Sequence, residues 1–99
     1  MNESKIFKET KKNILLQFSA TWCGPCRILA PTIDQIEQKT NQYMDVKRID
    51  VDQDQEVAIT YMVRGVPTLI LLDKDGNVFW RHTGLISEND LLAKIESMR

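Results

Sequence analysis

The sequence lacks an excess of charge of either sign, and it is poor in glycine and proline. Thirteen lysines and arginines nearly balance 14 aspartates and glutamates, giving a net charge of −1, so the charge favours neither nucleic acid nor a membrane surface as a partner. Four glycines and three prolines exclude collagen-like and Pro/Gly-rich disordered chains. An apolar fraction of 42% in 99 residues predicts one small folded domain over residues 1–99.

Long hydrophobic runs are also absent. No stretch approaches the ~18–20 apolar residues of a membrane-spanning helix. The polar start, Met1 to Lys5, is typical of a helix N-terminus and differs from the charged and then apolar segments of a secretory signal. We therefore expect a cytoplasmic protein, and a periplasmic or otherwise exported one if a signal peptide has been removed.

Cysteine is scarce, with only Cys23 and Cys26 present. A disulfide gains stabilisation from the length of the loop it closes, so a bridge across so short a segment is a poor structural staple. A structural zinc site needs about four ligands, and the single histidine, His82, leaves the set short unless a carboxylate or a second chain completes it. We expect no metal, a plain surface role for His82, and redox chemistry at the cysteine pair.

Apolar spacing and turn residues predict the element order α-β-α-β-α-β-β-α. The predicted elements are a helix over 4–12, a strand over 14–18, a helix that starts around Pro25, a strand over 45–51, a helix capped by Asp54 that includes Tyr61 and Met62, a strand over 69–72, a turn over 73–77, a strand over 78–83 and a helix capped by Ser87. A helical crossover joins the first two strands, so they should run parallel, with helices on both faces of the sheet. Pro31 should kink its helix, because it removes one backbone hydrogen bond.

The segment around the cysteines resembles the active site of the thioredoxin family. Its residues are Trp22, Cys23, Gly24, Pro25 and Cys26. Further along, Val66-Pro67-Thr68 resembles the cis-proline loop of the family, and Gly84 matches another family glycine. The resemblance covers roughly residues 4–99. It implies a three-layer α/β/α fold, with a mixed sheet of about four strands flanked by four helices.

The cysteine positions indicate a division of labour between the two thiols. A thiolate is the reactive form of cysteine, and a helix N-terminus stabilises negative charge. Cys23 should be the partly exposed nucleophile at that end, and Cys26, one turn inside the helix, should resolve the mixed disulfide. The resemblance implies a protein disulfide reductant whose substrates are disulfide-containing client proteins. It further implies recharging by an NADPH-dependent thioredoxin reductase, with no cofactor besides the redox-active disulfide.

The resemblance also implies a substrate-binding surface next to Cys23. Pro67, if cis, would hold the Val66 backbone open for a substrate strand to pair with it, and Gly84 would belong to the same surface. Trp22, Gly65 and Val66 would form a shallow apolar docking area. The alternatives are a strand-opening role for Pro67 and a core-packing role for Trp22.

Two residues depart from the family pattern. Gln17 stands where relatives carry a buried acid that takes the proton of the resolving thiol, and an amide cannot accept that proton at neutral pH. We therefore expect slow resolution, unless water alone accepts the proton. Arg48 stands where relatives often carry lysine; we expect it to be unpaired unless Asp50 or solvent serves it. Its charge would lower the pKa of Cys26, unless the side chain reaches out to solvent.

A third departure is the short N-terminus, which leaves no room for the extra first strand of most thioredoxins. The strand over 46–51 should then be an exposed sheet edge, which the charged residues Lys47, Arg48, Asp50 and Asp52 protect from pairing. We expect a monomer, with an edge-paired dimer as the alternative.

Two other functions remain open at this stage. An exported oxidase, isomerase or maturation factor is favoured by Gln17 and disfavoured by the Gly24-Pro25 pair, which accompanies reducing members of the family. A non-catalytic binding subunit would grip a partner through Trp22 and Val66, but retention of both cysteines argues against it.

Overall fold

The computed structural model describes residues 12–99. Its elements are β1 (Asn13–Ser19), α1 (Gly24–Thr40), β2 (Met44–Asp50), α2 (Gln55–Thr60), β3 (Thr68–Leu72), β4 (Val78–Thr83) and α3 (Glu88–Ser97). This order confirms the predicted one from the first strand onward. The helix predicted over 4–12 lies outside the described residues except for its last position, so the described part carries three of the four expected helices.

The four strands form one mixed sheet in the order β2-β1-β3-β4. β1 and β2 are parallel, as predicted from the helical crossover, and place Gln17 opposite Arg48. β3 is antiparallel to both β1 and β4. Within the described residues β2 is therefore an edge strand, as expected.

β1 carries apolar side chains on both of its faces, and helices cover both faces of the sheet. Leu15 lies in the cluster that α1 and α3 cover, whereas Ile14, Leu16 and Phe18 lie in the cluster on the α2 side. All four residues are at most 1% exposed. Burial at about 1.5–3 kcal/mol for each large apolar side chain makes this strand a main source of stability. The result is the three-layer α/β/α arrangement that the sequence predicted.

α2 is shorter than predicted. It ends at Thr60, Tyr61 forms the C-cap, and Met62 has a φ of 54° in the left-handed region. The prediction that Met62 continues the helix is therefore wrong: the chain turns there, and Tyr61 is fully buried against the sheet. Asp54 is the N-cap residue, but its side chain makes no capping hydrogen bond.

The C-terminal part follows its sequence signals closely. Gly76 supplies the positive φ of 87° in the β3–β4 turn, and Ser87 Oγ accepts a hydrogen bond from Asp90 N at the start of α3. The Tyr43 hydroxyl donates to Glu96 Oε1 across 2.8 Å and ties the far end of α3 to the segment before β2. This bond holds the pKa of Glu96 below its usual value, whereas burial first, and then the same bond, raise the pKa of Tyr43.

Candidate active site

The cysteine pair lies where the chain leaves β1 and enters α1. The turn after β1 is closed by a hydrogen bond from Cys23 N to Ala20 O of 3.2 Å. Cys23 is the N-cap of α1, and a proline occupies the first turn, where the missing N–H costs nothing. Cys23 and Cys26 are joined by a disulfide, with their Cα atoms 5.3 Å apart.

A backbone donor faces the Cys23 sulfur. The N–H of Cys26 donates to Cys23 Sγ across 3.1 Å, and the first turn of α1 contains no acidic residue. An unpaired helix N–H and the positive end of the helix dipole stabilise an anion at this position. The site is therefore built to favour a Cys23 thiolate once the disulfide is reduced.

The two cysteine residues do not differ in exposure as expected. Cys23 is 3% exposed and Cys26 is 5% exposed, so the prediction of a partly exposed Cys23 is wrong for this disulfide form. Ala20 belongs to the same buried cluster, and Val51 and Val66 pack against it. Val51 follows β2 and Val66 precedes β3. Their approach to the cysteines is a tertiary contact that local sequence does not reveal.

The loop before β3 brings Val66 to the disulfide. The Val66–Pro67 peptide bond is cis. On one side the Thr68 hydroxyl donates to Gly65 O across 2.6 Å, and on the other Gly84 N donates to Pro67 O across 2.9 Å. Gly84 has a φ of +104°, where L side chains are strained. The structure thus brings the cis-proline loop, Gly84 and the cysteines into one region.

Trp22 lies on the surface beside this loop. It is 68% exposed, so the core-packing alternative is wrong. Its indole Nε1 donates to Asp52 Oδ2 across 2.8 Å. A shallow cavity of about 130 Å³ lies between the ring and the cis-proline loop, and its lining residues are Trp22, Val51, Val63, Arg64, Gly65 and Val66.

Asp52 is a site residue that the sequence interpretation missed, since it was assigned only to protection of the sheet edge. A usable signal was present in the predicted topology. The carboxyl ends of parallel strands meet at one edge of a sheet, and Trp22 follows β1 just as Asp52 follows β2. The expected parallel pairing therefore already brought the two segments together.

On the α1 side of the sheet, Gln17 and Arg48 lie on neighbouring strands in register. Gln17 is 3% exposed. Both residues line a groove of about 380 Å³ that reaches Cys26, and the complete lining is Gln17, Ser19, Ala20, Thr21, Cys26, Arg27, Ala30 and Arg48. The position of Gln17 near the resolving cysteine thus follows from the geometry of the groove.

Arg48 has carboxylate partners that the sequence interpretation did not foresee. Its Nη2 donates to Asp34 Oδ1 across 2.6 Å and to Glu37 Oε1 across 3.1 Å. The expectation that only Asp50 or solvent would serve Arg48 is therefore wrong. Asp34 and Glu37 are three residues apart on α1 and so share a helix face, and that face packs over β2. Their two negative charges offset the positive charge of the guanidinium group.

His82 lies in β4, outside the cysteine region. Its ring stacks on Trp80 with centroids 5.7 Å apart, and Nε2 is hydrogen-bonded to the Leu85 carbonyl oxygen across 3.0 Å. In residues 12–99, no three His, Cys, Asp or Glu side chains are placed to hold a metal ion. No helix within that range is both long and apolar enough to cross a membrane.

Comparisons with known proteins agree with this geometry. The sequence profile of the family described as Thioredoxin matches residues 2–97. The thioredoxin of Pseudomonas aeruginosa is 36% identical over 84 residues, which are 85% of this chain and 77% of that protein. The thioredoxin of Mycoplasmoides gallisepticum is 38% identical over 82 residues, covering 83% of this chain and 80% of the relative.

Among solved structures, a mutant thioredoxin from Halobacterium salinarum NRC-1 superposes with a TM-score of 0.82 and 37% identity. The match covers 95% of this chain and 80% of that one. Cys23 and Cys26 form a Cys-x-x-Cys motif at the active-site position of the thioredoxin relatives. The chain belongs to the thioredoxin family and is a thiol–disulfide oxidoreductase.

Proposed function

We propose that the protein reduces exposed disulfides of other proteins, with residues 1–99 forming one thioredoxin-like domain. The observation that carries this proposal is the Cys23–Cys26 pair at the N-terminus of α1, where Cys26 N donates to Cys23 Sγ. A dithiol held there keeps Cys23 available as a thiolate. The intervening Gly24-Pro25 pair accompanies reducing members of the family and supports this direction of electron flow.

The reaction takes two steps. The Cys23 thiolate attacks one sulfur of a substrate disulfide, which forms a mixed disulfide and releases the other substrate sulfur as a thiolate. The Cys26 thiol then loses its proton and attacks Cys23 Sγ. This attack forms the Cys23–Cys26 disulfide and releases the second substrate sulfur, so two electrons pass from the protein to the substrate.

Client proteins would dock on the surface around the cis-proline loop. An extended substrate segment would pair with the Val66 backbone by strand addition, next to Gly84 and Pro67, which are hydrogen-bonded to each other. The exposed face of Trp22 and the shallow cavity beside it supply apolar contact area. The hydrogen bond to Asp52 fixes the indole in place for this contact.

An NADPH-dependent thioredoxin reductase is the proposed source of electrons, and the redox-active disulfide is the only cofactor we assign. We place the protein in the cytoplasm as part of electron transport that maintains cell redox balance.

A monomer is proposed, because Lys47 and Arg48 are exposed on edge strand β2 and charged side chains oppose pairing of sheet edges. A dimer in sedimentation at micromolar concentration would overturn that assignment.

Serine variants of the two cysteines test the roles directly. Reduced Cys26→Ser should retain attack on a protein disulfide and accumulate a mixed disulfide, because the resolving thiol is missing. Cys23→Ser should form no adduct. Mass spectrometry of the products distinguishes the variants, and adducts that form on Cys26 in the Cys23→Ser protein would contradict the assignment.

Gln17 supports one other direction of electron flow. Without a built-in base below the cysteines, mixed disulfides should persist longer, as suits an oxidase, isomerase or maturation factor outside the cytoplasm. A binding subunit is less favoured, because both cysteines are present and form the disulfide. A protein with both cysteines replaced by serine would keep its biological effect only if it were a binder.

A further inference from the structure

The groove that reaches Cys26 is open on the α1 side of the sheet. β1 contributes Gln17 and Ser19, α1 contributes Ala30, and β2 contributes Arg48. Its volume of about 380 Å³ leaves room for several water molecules at roughly 30 Å³ each. The resolving cysteine is therefore buried in the disulfide cluster on one side and close to solvent on the other.

Among the described residues that line the groove, none carries a side chain that accepts a proton at neutral pH. Its polar lining consists of the Gln17 amide, the Ser19 and Thr21 hydroxyls, and the guanidinium groups of Arg27 and Arg48, with no carboxylate or imidazole among the described lining residues. An amide and a hydroxyl donate and accept hydrogen bonds but do not take up a proton.

The charged groups around the groove are already engaged with other partners. Arg27 Nη2 donates to Thr21 O across 2.9 Å, and Arg48 is paired with Asp34 and Glu37. On the opposite side of the cysteines, Val51 and Val66 form apolar packing, and Asp52 beyond them accepts the indole N–H of Trp22. None of these contacts places a carboxylate of the described residues in the groove beside Cys26.

The resolving step nevertheless requires a base. The thiolate, and not the thiol, is the nucleophile in disulfide exchange. The proton must leave before or during attack on Cys23 Sγ.

We propose that this step uses a base from solvent, which enters the groove and takes the Cys26 proton, while Gln17 and Ser19 position it as hydrogen-bonding partners. The inference deepens the proposed function and rests on it. The S–H bond of Cys26 breaks and its proton passes to water or to a small dissolved base. The S–S bond to Cys23 then forms as the substrate sulfur leaves with the electron pair of the broken mixed disulfide.

A solvent base makes resolution sensitive to the concentration of small bases at constant pH and ionic strength. If the base were built into the protein, the rate of resolution would not depend on that concentration, because the protonation of such a base depends on pH alone. Imidazole is a suitable probe, because it is small and a substantial part of it is unprotonated near neutral pH. The first step, attack by the Cys23 thiolate, transfers no proton at Cys26 and provides an internal reference.

The experiment mixes the reduced protein with an equimolar amount of the aromatic disulfide 5,5′-dithiobis(2-nitrobenzoate) in a stopped-flow spectrometer. Release of the first coloured thiolate reports attack by Cys23, and release of the second reports resolution by Cys26. We expect the second rate to rise severalfold with imidazole at fixed pH and ionic strength, while the first rate stays constant.

Two groove-filling variants should weaken that response. Ser19→Trp places a large ring in the groove, and Ala30→Leu narrows it from the helix side, which keeps the test usable if one of them does not fold. Both should lower the ratio of second to first rate and lose most of the imidazole response. Ala93→Leu, the same change on an exposed position of α3, is the matched control and should behave like the unmodified protein.

A matched pair at Gln17 tests the same inference from the opposite direction. Gln17→Asp supplies a built-in base and should speed resolution about tenfold, below the 10²–10⁴ of a fully positioned base, and abolish the imidazole response. Asparagine has the size of aspartate but carries no charge, so Gln17→Asn should keep the imidazole response.

Equal resolution rates and equal imidazole responses in Gln17→Asp and Gln17→Asn would overturn the inference. A normal first phase with an imidazole-independent second phase in the unmodified protein would overturn this inference but leave the proposed function intact. Absence of the first phase would overturn the proposed function as well.

Discussion

At the scale of single residues, the Trp22 indole depends on one hydrogen bond for its orientation. Trp22 is 68% exposed, so packing restrains the ring little, and its N–H donates to Asp52 Oδ2 across 2.8 Å. A side chain with two rotatable bonds that is fixed in this way loses less entropy when a client protein covers it.

Removal of the Asp52 carboxylate should weaken client docking without affecting the disulfide chemistry. We expect Asp52→Ala to raise KM for a protein disulfide two- to fivefold, corresponding to about 0.5–1 kcal/mol for an exposed hydrogen bond. Asp52→Asn retains an acceptor oxygen and should stay near the original KM. Steady-state reduction of a protein disulfide and of a small aromatic disulfide measures the two effects separately.

The control for that comparison is Asp54→Ala, which removes a nearby carboxylate whose side chain makes no capping hydrogen bond. It should leave KM unchanged. An equal loss for protein and small-molecule substrates in Asp52→Ala would mean that Asp52 acts on the cysteines and not on docking.

Residue identities at the site were predictable where chemistry and spacing coincide. Cys23 and Cys26 were assigned because so short a loop makes a poor staple, and the structure places both at the start of α1. The burial of the sulfurs was not predictable, because Val51 and Val66 reach them from distant parts of the chain. The ion pairs of Arg48 with α1 were missed for the same reason.

At the scale of elements, the sequence predicts the N-cap of α3. Ser87 precedes the helix, and its Oγ accepts a hydrogen bond from Asp90 N across 3.1 Å. This bond satisfies one of the backbone donors that a helix N-terminus leaves unpaired. α3 then supplies Leu91 and Ile95 to the core on the α1 side of the sheet.

Loss of the cap should therefore lower the free energy of unfolding. We expect Ser87→Ala to cost about 0.5–2 kcal/mol, the range for N-cap serines, as measured by urea unfolding. Ser97→Ala in the last turn is the control: that hydroxyl donates to Lys94 O and caps no N–H, so its loss should cost less than about 0.5 kcal/mol. Equal costs for the two variants would contradict the capping account.

Strands and helices were predictable from period and turn residues, but the end of α2 was not. The apolar residues Ala58, Tyr61 and Met62 suit a helix face by spacing alone. In the structure Tyr61 is fully buried while Met62 is 64% exposed, because the chain leaves the helix at Tyr61 to reach the loop before β3. Tertiary packing of Tyr61 overrides the local pattern.

At the scale of the whole molecule, the sheet separates two apolar cores and brings two loops together at one end. The core on the α1 and α3 side and the core on the α2 side are both anchored by β1 and β3. The segments that follow β1 and precede β3 then meet at the cysteines. This arrangement was predictable in outline, because the helical crossover required parallel β1 and β2.

The direction of electron flow is a property of the whole molecule. It depends on how far the fold stabilises the reduced pair, with the Cys23 thiolate at the helix N-terminus, relative to the disulfide. We expect the Gly24-Pro25 pair to keep the potential in the reducing range. The neutral Gln17 and the ion-paired Arg48 make a measurement on this protein necessary.

The most direct test is the reduction potential of the Cys23–Cys26 pair, measured by equilibration with a dithiothreitol or glutathione redox buffer. We expect a value of about −270 mV, the known value for thioredoxin, which marks a cytosolic disulfide reductant. A value between about −180 and −120 mV, where isomerases and oxidases lie, would contradict the reductant assignment and indicate an exported oxidase or isomerase.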